Sequence, residues 1–152
     1  MNGPLNTLIE LAQKTCDRAG RNLAQEHQRS QQASDQLAAL RQYRREYAER
    51  MQVALQDGTD AATLANFRAF LQSLDKAIER AQSGAEQQEK RVEGSRQQWR
   101  QERQRLSSFD TLATRQQQRE QQQSRRRELL QNDEFTSNHS ARLRLQAEQA
   151  EW

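Results

Sequence analysis

The sequence predicts an all-α fold, a long antiparallel two-helix coiled-coil hairpin with a polar C-terminal helical extension. Three observations point there. The first is composition. Of 152 residues only 33% are hydrophobic and 30% are charged, with one proline and five glycines. That is too little apolar material for a many-sided core, but enough for a single seam. The abundant Gln, Arg, Ala, Glu and Leu favour helix over the disorder that low hydrophobicity otherwise permits. The second is a stripe of small and apolar residues recurring at alternating spacings of three and four, the heptad signature. The third is one short interruption, "QDGTDAAT", between two such stripes of equal length.

The first helix is expected over residues 5–54. Its stripe is Leu5, Ile9, Ala12, Cys16, Ala19, Leu23, Glu26, Ser30, Ala33, Leu37, Leu40, Arg44, Tyr47, Met51 and Ala54. The turn region is 55–63. Gly58 suits the left-handed residue that ends a helix, and Thr59 or Asp60 suits the cap of the next. The second helix is expected over 64–113, with Leu64, Phe67, Leu71, Leu74, Ile78, Ala81, Ala85, Gln88, Val92, Ser95, Trp99, Glu102, Leu106, Phe109 and Ala113 on its seam. The whole chain reads as a single coiled-coil domain. Folding at 57–60 pairs residues whose numbers sum to 118, which sets Trp99 against Ala19 and Phe67 against Met51, large against small. Such a hairpin is about 75 Å long at 1.5 Å per residue. Its waist, near Ser30, Ala33, Gly84 and Gln88, buries little, and a bend or fraying is expected there.

The only two tyrosines, Tyr43 and Tyr47, lie together in "LRQYRREYAER". Tyr47 is on the seam and Tyr43 is one step beside it. Gln36, Leu40, Tyr43 and Tyr47, with Ala81, Ala77, Leu74 and Phe70 opposite, form a second stripe along one flank near the closed tip. Two readings stand. An exposed aromatic flank marks a partner site; alternatively, "QDGTDAATLANF" folds back and covers it.

After Ala113 the stripe fades into "TRQQQREQQQSRRRELLQNDEF". The remaining arm, 114–152, has no helix left to pair with and extends roughly 58 Å if helical. It reads as a frayed tail or as a rod that inserts into something, and composition alone favours the tail. Residues 90–127 hold eleven basic and four acidic side chains, nearly all the basic ones Arg. A segment of that charge suits nucleic acid, an acidic membrane surface or an acidic protein, or is a solvated helix face.

Enzymatic chemistry finds no support. A thin hairpin offers no pocket for convergent groups. His27 and His139 are far apart without partners at metal-ligand spacing. Cys16 occupies a seam position, so it reads as a small buried hydrophobe, and a lone cysteine forms no internal disulfide. There is no glycine-rich phosphate loop. No cofactor or metal is expected. "MNGPLNTLIELAQKTCDR" lacks a basic start and a long apolar run, so no signal peptide or membrane span is read and a cytoplasmic protein is expected.

The segments "PLNTLIELA", "LRQYRREYAERM", "FRAFLQSLDKAIE", "WRQERQRLSSFDTLATR" and "SRRRELLQNDEF" occur in this order. With the aromatics Tyr43, Tyr47, Phe70, Trp99 and Phe135 they resemble the FliJ family, soluble coiled-coil components of the bacterial flagellar type III export apparatus, over roughly residues 4–135. The resemblance implies a stalk-like, non-enzymatic coupling protein. The implied partners are the export ATPase ring, the cytoplasmic region of the membrane export gate and export chaperones, with the protein peripheral to the inner membrane at the flagellar base. It turns the arm into a stalk entering the ring, with Arg125, Arg126, Arg127, Leu130 and Phe135 as ring contacts. It makes the flank of Gln36, Leu40, Tyr43, Tyr47, Phe70, Leu74, Ala77 and Ala81 the gate-binding surface. A monomer is expected, without specific nucleic-acid binding or membrane insertion. The alternatives are the equivalent component of a virulence injectisome, a nucleic-acid-binding coiled coil and a structural dimer. Against nucleic acid, the Arg-rich stretch has few lysines and no aromatics interleaved for base stacking.

Overall fold

A computed structural model describes residues 3–151 of the chain. Two long helices, α1 (Gly3–Asp57) and α2 (Ala61–Ala150), pack against each other as an antiparallel hairpin, and no strand occurs among the described residues. Pro4 lies in the first turn of α1, where its missing N–H costs no helical bond.

The connection is shorter than the 55–63 segment expected from sequence, because only Gly58, Thr59 and Asp60 lie outside helix. Gly58 takes φ of 87°, the left-handed conformation that reverses the chain after α1. Asp60 then caps α2: its carboxylate accepts from the Thr63 amide at 3.1 Å, and its carbonyl accepts from the Leu64 amide at 3.1 Å. The Thr63 side chain, and after it the Thr63 amide, hold the Asp60 carboxyl below the ordinary carboxylate range. The capping pattern leaves no slack, so "QDGTDAAT" forms a tight corner rather than a flap.

Every residue of the two stripes is buried or half-buried, while most of the other described positions are exposed. The best-buried positions are Ala12, Cys16 and Ala19 on α1 and Leu71, Leu74 and Val92 on α2. Cys16 is a free, buried thiol. Small residues on α1 admit the largest ring on α2. A Cβ at Gly20 would lie 3.3 Å from Nε1 of Trp99, so the indole of Trp99 rests against Gly20, next to Ala19. The Arg103 guanidinium lies over the indole, 4.8 Å from the ring centroid. The pairs Gly20–Trp99, Arg44–Asp75 and Tyr47–Phe70 all lie within one residue of the predicted register.

The waist behaves differently from the expectation of fraying. Both helices run through it unbroken. The Gln88 side-chain amide donates to the Glu26 carbonyl at 3.1 Å and also to the Glu26 carboxylate. A polar clasp between helices thus replaces apolar packing. Glu102 is less well served, because one of its carboxylate oxygens is buried with no hydrogen-bond partner, an arrangement that costs stability.

The chain divides into two compact units. One unit is Leu11–Arg105, which contains the closed tip; the other is Met1–Glu10 with Leu106–Trp152. In the second unit, Leu5 and Ile9 of α1 are half-buried along with Leu106, Phe109 and Ala113 of α2. From residue 114 to 151 every side chain of α2 is exposed.

Candidate partner-binding surfaces

Placing Tyr43 one position before the seam residue Arg44, and Phe70 one before Leu71, turns both rings onto the same side of the hairpin. Tyr47 reaches that side from the seam itself. Its ring centroid lies 4.4 Å from that of Phe70 and 5.2 Å from that of Phe67. Tyr43 closes the group, 6.3 Å from Tyr47 and 6.0 Å from Phe70, the latter edge-on at 86°. Edge-to-face and tilted pairs at such distances are favourable beyond their burial. The four rings therefore form a preorganised cluster spanning both helices.

This cluster is not covered. Tyr43 is 44% and Phe70 36% exposed, and the three-residue corner does not fold over them. Of the two sequence readings for the flank, the exposed one describes the free chain. The other members divide by depth. Gln36 is exposed; Leu40, Tyr47, Ala77 and Ala81 are half-buried; Leu74 is only 7% exposed and belongs to the core. Leu74 therefore backs the flank from beneath and does not itself present a contact surface. Phe67 joins the ring cluster although the sequence reading gave it only a seam role.

Beside the cluster, Arg44 and Asp75 form a two-pronged ion pair across the helices. Nε of Arg44 donates to Oδ1 of Asp75, and Nη2 donates to Oδ2 at 3.3 Å. Arg44 was legible as a polar intruder on the seam; its partner, on a solvent-facing position of α2, was not. The hydrogen bond from Arg44, aided by its charge, holds the Asp75 carboxyl below the ordinary carboxylate range, and Asp75 holds the guanidinium above its own. A depressed carboxyl stabilises the fold above its unfolded value and loses that contribution as pH falls through the folded value. Asp75→Asn is therefore expected to melt below the unsubstituted protein at pH 7, with the gap closing as pH drops below about 4. Salt narrows the gap, because both side chains are partly in water. A gap unchanged from pH 7 to pH 3 would contradict this assignment.

The arm is arranged differently. Arg125, Arg126, Arg127, Leu130 and Phe135 are all exposed on α2. Successive helical residues rotate by about 100°, so the three arginines point in three directions and the five side chains do not share one face. Phe135 and His139, one turn apart, lie with parallel rings at 6.3 Å. No described helix is long and apolar enough to cross a membrane.

The family model for the flagellar FliJ protein matches residues 1–145. The flagellar FliJ protein of Salmonella typhi is 32% identical over 141 residues, covering 93% of this chain and 96% of that protein. The flagellar FliJ protein of Escherichia coli (strain K12) is 30% identical with the same coverage. A family match over almost the whole chain, carried on two helices with an uncovered aromatic flank, shows that the chain belongs to the FliJ family of flagellar export components.

Proposed function

We propose that this chain is a non-enzymatic stalk and coupling protein of the flagellar type III export apparatus. It works on the cytoplasmic side of the inner membrane, without inserting into it. The flank of Gln36, Leu40, Tyr43, Tyr47, Phe70, Ala77 and Ala81, backed by Leu74, receives the cytoplasmic region of the export gate. The arm, with Arg125, Arg126, Arg127, Leu130 and Phe135, enters the ring of the export ATPase. Export chaperones are further partners, and the protein acts as a monomer.

The observation that carries this reading is the aromatic cluster left in water after the seam has been filled. An intrachain core has no use for Tyr43 and Phe70 at partial exposure, whereas a protein interface uses preformed aromatic anchors of this kind. The arm adds a second surface, exposed throughout its described residues 114–151. Its arginines, scattered around the helix, suit a lining that surrounds a rod more than a flat surface met from one side. The test is direct binding. The full chain titrated with the purified gate region and, separately, with the ATPase should bind both, and should raise ATPase turnover. Failure to bind either partner at micromolar concentrations would overturn the reading.

A further inference from the structure

The flank continues past its aromatic end. Stepping by seven, the repeat of the seam, leads on α2 from Phe70 to Ala77, Gly84 and Arg91. These stand directly before the seam residues Leu71, Ile78, Ala85 and Val92, all of them buried or half-buried. The row therefore keeps to one side of the hairpin over about 32 Å at 1.5 Å per residue. The same step on α1 leads from Tyr43 to Gln36 and Arg29, before the seam residues Arg44, Leu37 and Ser30. Gly84 sits in mid-helix, where glycine costs stability relative to alanine. Its own chain gives no reason for it, because a Cβ there would meet nothing within 4 Å. The glycine leaves the row bare between the rings and Arg91. The charge of this side is of one sign. No Asp or Glu occupies either row between residues 15 and 50 of α1 or 70 and 105 of α2, whereas Arg29, Arg50, Arg91 and Arg105 do. Arg29 is paired with Glu26 at 3.3 Å. Arg91 has no ion pair or hydrogen bond among the described residues, and its neighbours three and four positions away, Gln87, Gln88, Gly94 and Ser95, offer no carboxylate.

We infer that Arg91 is a further contact of the flank, receiving a carboxylate from an acidic helical segment of the export gate that packs on Tyr43 and Phe70 and passes over Gly84. The inference rests on the gate-binding reading given above and adds the charge and form of what binds. A row of arginines without a carboxylate selects an acidic partner over a basic one and brings it in faster. An unpaired guanidinium on that row is free to take the carboxylate in a two-pronged bond. A helix fits, because the flank is the groove between two packed helices, and an amphipathic helix lays its apolar face into such a groove. The bare backbone at Gly84 lets that helix stay close to α2 after it leaves the rings. A longer side chain there would lift it away before it reached Arg91.

The experiment measures the affinity of the full chain for the purified cytoplasmic region of the gate by calorimetry, at low and raised salt, for Arg91→Glu, Arg91→Lys, Gly84→Leu and Tyr43→Ala, with melting followed alongside. Arg100→Glu makes the same charge change at an exposed position outside the row and serves as the control. Arg91→Glu is expected to weaken binding about tenfold at low salt and less at raised salt, because an exposed ion pair is screened. Its melting temperature stays unchanged, since Arg91 has no partner among the described residues to lose. Arg91→Lys keeps the charge but not the fork and should lose no more than about threefold. Gly84→Leu should weaken binding without melting lower, since leucine favours helix over glycine. If Tyr43→Ala weakens binding while Arg91→Glu does no more than Arg100→Glu, Arg91 is not a contact and the flank reading stands. If no variant weakens it, the flank reading itself fails and the inference falls with it. Tighter binding by Arg91→Glu would make the partner basic at this point and overturn the inference. Binding to phosphatidylglycerol vesicles that Arg91→Glu abolishes, with gate affinity unchanged, would assign the row to a lipid surface and overturn it as well.

Discussion

Leu71→Ala is expected to lower hairpin stability by about 2–4 kcal/mol, the usual range for deleting most of a buried leucine side chain. Leu71 is among the best-buried residues of the chain, at 8% exposure, on the seam beneath the aromatic cluster. A two-helix seam has few layers, so a void in one is not shared among many neighbours. For a chain of this size the loss corresponds to roughly 5–15 °C in melting temperature. The effect should appear in thermal unfolding followed by circular dichroism. Leu129→Ala, on the exposed arm, serves as the control and should leave melting within a degree or two, as surface substitutions usually do. Equal losses at both positions would mean that the arm is packed, contrary to the exposure of every side chain from 114 to 151.

Removing residues 114–152 is expected to do the reverse. Hairpin melting should stay nearly constant, because the described part of the segment contributes no buried side chain. Ellipticity per molecule should fall by the share of helix removed. Stimulation of the export ATPase should fall to near background, because the segment proposed to enter the ring is gone. A truncated chain that stimulates as well as the full one would rule out the arm as the ring-entering element, while leaving the flank untouched.

The parts of this structure legible in the sequence are those dictated by helix periodicity. Ala12, Cys16 and Ala19 could be placed on the seam from their spacing alone, because a 3/4 repeat has only one buried solution in a pair of helices. The turn chemistry of Gly58 and Asp60 was equally plain, since a left-handed residue followed by a cap is a local requirement. The helix ends were harder. Polar residues such as Gln56 and Asp57 carry no periodic signal, and they complete the last turn of α1 only because the corner is tight. Contacts made by long side chains were not legible. Asp75 lies on an ordinary solvent-facing position until Arg44 reaches it, and the bond from Gln88 to Glu26 spans about one turn beyond the register. The ring contacts joining Phe67 to Tyr47 likewise follow from rotamers, which spacing does not give.

In the proposed function Tyr43 and Phe70 are an interface held apart from the core that supports it. Its most direct test is a paired measurement on Tyr43→Ala and Phe70→Ala: melting temperature, and affinity for the cytoplasmic region of the export gate. Truncating an interface anchor typically costs about 2 kcal/mol or more, some 30-fold in affinity. Both variants are expected to lose affinity on that scale, with melting lowered far less than by Leu71→Ala. Unchanged affinity together with a large drop in melting temperature would contradict the account and make the aromatic cluster part of the packing alone.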